Sequence, residues 1–223
     1  MNQLLLGIGL RDSESFANFF PAQNQQVVQA LQQADEAFIY LWGSRGSGKT
    51  HLLQALCRQL AEQGQAVAYL PLAEEGMAPQ MLDGMEAMSL LAIDDLEQIA
   101  GNAEWEAALF HLYNRIRDAG GRLLVAARVG PAALPVQLRD LASRLSYGLT
   151  LQMHELGDVD KLKLLQLRAA NRGFDLPDEV ANYLLKRCER DMVSLIELLE
   201  TLDSATLRAQ RKLTIPFVKS LLS

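Results

Sequence analysis

Eight consecutive residues, Gly43-Ser44-Arg45-Gly46-Ser47-Gly48-Lys49-Thr50, have the types and spacing of a loop that wraps a phosphate group. Gly43, Gly46 and Gly48 lack a Cβ, so the backbone can curl until successive N–H groups face one anion at the positive end of the following helix. Lys49 brings an ammonium to the β- and γ-phosphates, and Thr50 brings a hydroxyl to a magnesium ion. The cofactor this loop implies is ADP or ATP with Mg²⁺. A second constellation follows the apolar run Leu90-Leu91-Ala92-Ile93, where Asp94 and Asp95 stand side by side. Asp94 falls at the carboxyl edge of a strand, where doubly wound sheets bind their ligands, and is the expected magnesium partner. Asp95 is placed to orient an attacking water, although an acidic pair there also suits the cap of the next segment.

These groups act together only if strands and helices deliver them to one place. Phe38–Trp42 is a compact apolar run ending at Gly43, and residues 50–60 repeat Leu52, Leu53, Leu56 and Leu60 at helical period. Short strands are expected at 65–70, 89–93, 122–127 and 149–153. Between the second and third of these, Trp105, Ala108, Leu109, Leu112, Tyr113 and Ile116 form one apolar helix face, closed by Gly120-Gly121. Strands alternating with helices predict an α/β fold with a doubly wound parallel sheet. From Gly157 onward the spacing is helical throughout, which predicts a small all-α domain. The expected division is therefore a tail over 1–15, an α/β nucleotide-binding domain over 16–156 and a helical domain over 157–223.

Bulk properties narrow the partners. The chain has 223 residues, 49% hydrophobic, with a net charge of -6. Its charge is uneven, with 10 basic and 17 acidic residues up to Gly157 and 11 basic and 10 acidic after it. Nonspecific DNA affinity comes from neutralising phosphates, so no strong direct DNA binding is expected. No run is apolar enough to span a bilayer and no basic-then-apolar leader opens the sequence, which implies a cytoplasmic protein without a membrane partner. Cys57 and Cys188 lie in apolar helical patterns and read as buried thiols, with no metal site implied.

The run Gly48-Lys49-Thr50-His51-Leu52-Leu53-Gln54-Ala55, followed by Leu90 to Leu96, resembles the AAA+ module of the DnaA family of replication initiators. The resemblance adds His51 to the expected cofactor contacts. It also makes the helical domain a lid. Phe16-Ala17-Asn18-Phe19 is similar to the family's box before the phosphate loop, and Leu141-Ala142-Ser143-Arg144-Leu145 to its arginine-finger box. Gly173-Phe174-Asp175-Leu176-Pro177 and the stretch from Ala209 to Lys219 resemble a regulatory branch of the family that inactivates DnaA. Little sequence follows Lys212, so no helix-turn-helix DNA-binding domain is expected after it. Gln3-Leu4-Leu5-Leu6-Gly7-Ile8 is similar to the short peptides by which bacterial proteins dock on the DNA polymerase sliding clamp, with Gln3, Leu4, Leu6 and Ile8 as the contacts. A leucine-rich tail of this kind can equally cover its own domain.

Two positions depart from the family pattern. The strand Leu123-Leu124-Val125-Ala126-Ala127-Arg128 offers two alanines where a polar residue senses the γ-phosphate, and Val193 stands where a lid arginine belongs, with Arg190 a possible substitute. Both losses favour holding a diphosphate over hydrolysing a triphosphate. The resemblance then implies a regulator that offers Arg144 to ATP bound on DnaA, as a catalytic group acting in a neighbour's site. Self-association stays open. Two rival readings remain at this point, an autonomous AAA+ ATPase resembling a helicase loader and a nucleotide-gated scaffold with no catalytic effect.

Overall fold

The computed structural model describes residues 14–33, 36–187, 191–209 and 213–222. Five strands, β1 (Phe38–Trp42), β2 (Val67–Pro71), β3 (Leu90–Asp94), β4 (Arg122–Ala127) and β5 (Leu149–Gln152), form one sheet in the order β2-β3-β4-β1-β5. Every pairing is parallel, with Tyr40 opposite Val125, Ala92 opposite Leu124 and Tyr69 opposite Ala92. The central strands are covered on both faces, which is why they read as unbroken apolar runs. Pro71 ends β2, an edge strand, where its missing N–H disturbs no second ladder.

Side chains alternate along each strand and so feed two separate cores. Phe38, Tyr40, Leu91, Ile93, Leu123, Val125 and Ala127 face a core shared with Trp105, Leu109, Leu112, Tyr113 and Ile116 and with Leu141 and Leu145. Ile39, Leu41, Leu90, Ala92, Leu124 and Ala126 face a core shared with Val27 and Leu31 and with Leu52, Leu53, Leu56 and Leu60. Four helices supply these covers: α1 (Gln25–Gln33) and α2 (Lys49–Glu62) on one face, α3 (Ala103–Ala119) and α4 (Arg139–Leu145) on the other. Asn102 caps α3, its side-chain oxygen accepting from the N–H groups of Glu104 and Trp105. Gly120, at φ 73, takes the left-handed turn that ends the same helix. Asn24 is buried and exchanges two hydrogen bonds of 2.8 Å with the main chain of His154, pinning the entry to α1 against the residue that leaves the sheet.

Two compact units divide the described chain, one comprising residues to Ser44 and Gly48–His154, the other Glu155–Ser223 with Arg45–Ser47. The second unit is helical: α5 (Asp158–Asn171), α6 (Asp178–Arg187), α7 (Met192–Ala209) and α8 (Ile215–Leu222). Leu165, Ala169, Val180, Leu184, Leu195, Leu199, Leu202 and Val218 are buried within it. Gln166 ties α5 to the start of α6 by donating to Asp178 at 2.6 Å and to the Leu176 carbonyl at 3.3 Å. Asp191 caps α7 by accepting from the N–H groups of Val193 and Ser194, and these bonds, with the Ser194 side chain foremost, hold its carboxyl below the usual range. Among the described residues no helix is long and apolar enough to cross a membrane. Cys57 is buried, and burial pushes its thiol up to about 12; Cys188, Arg190 and the tail bearing Gln3, Leu4, Leu6 and Ile8 lie outside the described residues.

Trp42 and Trp105 both belong to the first unit, so tryptophan fluorescence reports its unfolding alone. Leu53 is fully buried between α2 and the sheet. Leu53→Ala should lower the urea midpoint of that signal by an amount equivalent to about 2–5 kcal/mol.

Candidate phosphate-binding site

β1 delivers the glycine-rich loop from the middle of the sheet. The Gly43 N–H donates to the Ala127 carbonyl at 3.2 Å, and the Met153 N–H donates to the Trp42 carbonyl at 2.6 Å, so both neighbouring strands hold the point of departure. Gly46 and Gly48 have φ of 76 and 96, backbone that L side chains rarely adopt. Gly48 is doubly constrained, since a Cβ there would lie 2.8 Å from the Phe19 ring. The first bond of α2 runs from the Leu52 N–H to the Gly48 carbonyl at 3.1 Å, so the N–H groups of Lys49, Thr50 and His51 precede the helical ladder. These donors, with the helix's positive end, form a cradle for an anion. Ser47 Oγ is buried and has no hydrogen-bond partner among the described residues, a further orphan that a phosphate oxygen would satisfy.

Lys49 lies in the loop rather than in solvent. It is 7% exposed, and its Nζ donates to the carbonyls of Gly43 at 2.7 Å and Ser44 at 2.9 Å. Burial pulls its pKa down, while Asp94, Glu97 and Asp95 pull it back up. An ammonium resting on neutral carbonyls in a partly dry place is under-compensated, and added negative charge there is favourable.

Asp94, at the end of β3, is 1% exposed. Its Oδ2 accepts from the Thr50 hydroxyl at 2.6 Å and from the Tyr69 hydroxyl at 3.1 Å, while Oδ1 accepts from the Asp95 N–H at 3.0 Å. Burial, and then the Asp94 charge, push the Tyr69 hydroxyl well above the ordinary phenol range, so it stays a donor. No cluster of three or more histidine, cysteine or acidic ligands exists among the described residues. The Thr50–Asp94 pair nonetheless suits Mg²⁺, which takes one or two protein oxygens and completes its shell with waters and phosphates. Asp95 adopts left-handed backbone at φ 55, and its carboxyl is pushed up by burial and by the charges of Asp94 and Glu97. Burial and the neighbouring charges leave it a more basic carboxylate than an exposed aspartate.

The remaining residues singled out in the sequence are distributed as follows. The His51 imidazole is turned away from the phosphate loop, with Nε2 2.8 Å from the Ser15 carbonyl, Nδ1 paired with Glu14, and its ring edge-on to Phe19. Only its main-chain N–H faces the cradle. Ala126 and Ala127 are fully buried on opposite faces of the sheet and bring no polar group to its edge. Arg144 lies on α4, on the face opposite α2, with its guanidinium 5.8 Å from the centre of the Tyr113 ring. It is thus brought together with α3 and not with Lys49 or Asp94.

Four participants escaped the sequence reading. Tyr69 lies inside the strand expected over 65–70 and was not singled out there. Glu97 and Arg128 form a pair beside Asp95, the Arg128 N–H donating to Glu97 Oε2 at 3.1 Å and its Nε lying 2.7 Å from Oε1. Glu106 looked like an ordinary acid in the first turn of α3, yet it is 1% exposed and accepts from the N–H groups of Gly101, Gln137 and Leu138, all at 2.7–3.1 Å. It thereby binds the start of α4, the helix that carries Arg144. A glutamate next to Trp105 and three residues before Leu109, on the apolar side of the helix, was the available signal.

The family model of the bacterial DnaA ATPase domain matches residues 11–152, and that of the Hda lid domain matches residues 158–222. Among solved structures, domain III of the Thermotoga maritima replication initiation protein DnaA superposes with a TM-score of 0.81 at 19% identity, covering 96% of this chain and 97% of that one. AMPPCP-bound DnaA from Aquifex aeolicus superposes with a TM-score of 0.71 at 24% identity, over 86% of this chain and 66% of that one. At these identities the likeness is one of fold. A replication initiator DnaA bound to AMPPCP and single-stranded DNA gives a TM-score of 0.70 at 25% identity, over 91% of this chain and 69% of that one. The chain spans about two thirds of the length of the Aquifex protein, at 66%.

Glu106 gives this geometry a direct check. Glu106→Gln keeps the size but loses the charge and turns an amide donor toward main-chain donors. Each orphaned buried donor costs about 1–3 kcal/mol, so hydrogen exchange of the amides over 137–145 should accelerate strongly while β3 stays protected.

Proposed function

Because the chain belongs to the bacterial DnaA ATPase-domain family and carries an Hda-type lid domain, we propose that it is a nucleotide-binding AAA+ regulator of replication initiation that promotes hydrolysis of ATP bound to DnaA. The observation that carries this reading is the separation of two functional groups across one sheet. Lys49, Thr50 and Asp94 converge on the side of α2, whereas Arg144 rests on Tyr113 on the side of α3 and α4. An arginine directed away from its own cradle is free to serve a neighbour's nucleotide.

In this reading the N–H groups from Ser44 to His51, with Lys49, hold the phosphates of ADP or ATP, while the Gly43 N–H stays on the Ala127 carbonyl, and Thr50 and Asp94 hold Mg²⁺. That ion neutralises phosphate charge when bound. Buried Ala126 and Ala127 contribute nothing to a terminal phosphate, so the site favours retaining a diphosphate. Arg144 donates its planar guanidinium to charge developing on the transferred phosphoryl group of the partner's ATP. Tyr113 under the guanidinium and Glu106 at the start of α4 limit the arginine's freedom before the partner arrives. The tail docks on the sliding clamp through Gln3, Leu4, Leu6 and Ile8, which concentrates the protein at DNA that has been replicated, in the cytoplasm. A second reading, an autonomous ATPase, is favoured by Asp95, whose raised basicity suits activation of a water; steady-state turnover by the isolated protein would decide for it.

Arg144→Ala should leave ADP binding, clamp binding and folding intact, yet abolish stimulation of DnaA-bound ATP hydrolysis on clamp-loaded DNA. Arginine fingers contribute about 10³-fold or more in related phosphoryl-transfer systems, and a smaller but dominant effect is expected here. Arg144→Lys should rescue little, because a point charge lacks the guanidinium's multi-donor plane. Full stimulation by Arg144→Ala would leave the scaffold reading in its place.

Docking has its own check. Gln3→Ala combined with Leu4→Ala should eliminate capture by the clamp and leave the tryptophan-monitored melting temperature unchanged. A fall of several degrees, on the order of 1 kcal/mol or more for a unit this size, would instead mean that the tail belongs to its own domain's core.

A further inference from the structure

We propose that the open edge of β5 receives the chain's own tail, residues 6–10 pairing on it as a sixth, parallel strand, so that the tail must leave this edge before it docks elsewhere. The pairing stands apart from the clamp reading; only its consequence for docking rests on that reading.

β5 closes one side of the sheet, with β1 its single neighbour among the described residues. The N–H of Met153, one residue past β5, donates to the Trp42 carbonyl. Main-chain groups alternate sides along a strand, so Leu149 and Leu151 also turn theirs to β1, whereas Thr150 and Gln152 turn theirs outward. Both outward residues are exposed, and among the described residues nothing bonds to their main chain. Natural edge strands are blunted by a charge, a proline or a bulge. Leu149-Thr150-Leu151-Gln152 has neither charge nor proline, and its register with β1 is unbroken. An extended backbone is the partner that supplies donors and acceptors at this spacing.

The tail has the matching pattern. Leu4, Leu6, Ile8 and Leu10 alternate with Leu5, Gly7 and Gly9, so in extended form one face is wholly apolar. Leu149 and Leu151 are half-buried on the α2 side of the sheet, in the core that Phe16 and Phe19 also join. A strand added with its apolar face on that side continues the core past β5.

The tail is also delivered to the right place. Glu14 and Ser15 are held by His51 in the first turn of α2, and a Cβ at Gly48 would meet both the Phe19 ring at 2.8 Å and the Met153 methyl at 3.7 Å. Asn24 is bonded to His154. The chain leaving the tail is thereby anchored at the carboxyl end of β5. Leu10 stands four steps before Glu14, a reach of about 13 Å. A strand ending there runs in the direction of β5, parallel like every other pairing in the sheet. Gln3 and Leu4 would project beyond the four residues of β5.

Handedness agrees. α2 carries the chain from β1 toward β2 along one face, while α3 and α4 carry it the opposite way, from β3 to β4 and on to β5, along the other. All these crossovers share one hand. α1 packs on the α2 face, so a connection from a strand beyond β5 through α1 to β1 runs in the α2 direction and keeps that hand.

Residue-resolved hydrogen exchange on the full chain tests the pairing. Amides within residues 6–10 should exchange at least about tenfold more slowly than in a free peptide. Thr150→Pro removes an outward donor and no bond to β1, a change edge strands tolerate. It should abolish that protection while Leu41 stays protected, and Thr150→Val should preserve it. Ile8→Asp, which alters the tail alone, should abolish it as well, with an unchanged tryptophan melting temperature. Free-peptide exchange over residues 6–10 in the unsubstituted chain, or protection that survives both Thr150→Pro and Ile8→Asp, would overturn the pairing. For docking, Thr150→Pro should be captured by the clamp several-fold more tightly than the unsubstituted chain. Equal capture would overturn the competition, whereas no capture of either chain would overturn the clamp reading and leave the exchange result to decide the pairing.

Discussion

Lys49 carries a full charge into a place where it is 7% exposed, and much of the first unit is arranged around that constraint. The ammonium rests on the carbonyls of Gly43 and Ser44, which requires the loop to curl through left-handed backbone at Gly46 and Gly48. The curl in turn leaves no room for a Cβ at Gly48 beneath the Phe19 ring, so the segment before α1 is committed as well. Opposite charge is supplied from β3, where Asp94 is held by Thr50, Tyr69 and the Asp95 N–H. None of these groups is neutralised by a direct ion pair with Lys49. The result is a set of donors and a cation awaiting anionic charge, held on apolar strands that cannot relax around it.

The same sheet separates this cradle from the arginine helix. Strand residues of alternate parity pack against α2 or against α3 and α4, so a displacement on one face reaches the other only through the strands themselves. Glu106 strengthens the second face in an unusual way, for a buried carboxylate here is satisfied by main-chain donors instead of a cation. Three N–H groups from two loops converge on it, and α4 therefore begins at a defined point. Tyr113, itself edge-on to Phe38 at 5.2 Å, supports Arg144 farther along. Two different polar devices thus hold opposite ends of a helix of seven residues.

Lys49 and Asp94 also differ from Arg128 and Glu97 in kind. The first two are buried and their partners are at hydrogen-bond distance and geometry. Arg128 and Glu97 meet near the surface, with main-chain alignment good and side-chain alignment poor.

Much of this was legible in the amino-acid order. The glycine spacing, the strand before it and the amphipathic helix after it determined a phosphate loop, because only that order of backbone freedom and donors makes such a cradle. Apolar runs alternating with helical periods determined a parallel sheet with helices on both faces, and the change to helical spacing after Gly157 determined the second unit. The role of His51's side chain was not legible, since its partners Glu14 and Ser15 are 37 and 36 positions earlier and come to it only through folding. Nor was Glu106 distinguishable from a solvated first-turn acid until the loop at Gln137 was seen to close on it. Glu97 and Arg128 stand 31 positions apart and meet only because β4 inserts beside β3. Local periodicity and backbone freedom are properties of neighbouring residues and can be read in order, whereas the compensation of a buried or half-buried charge depends on which distant strands become neighbours, and only the tertiary structure decided that.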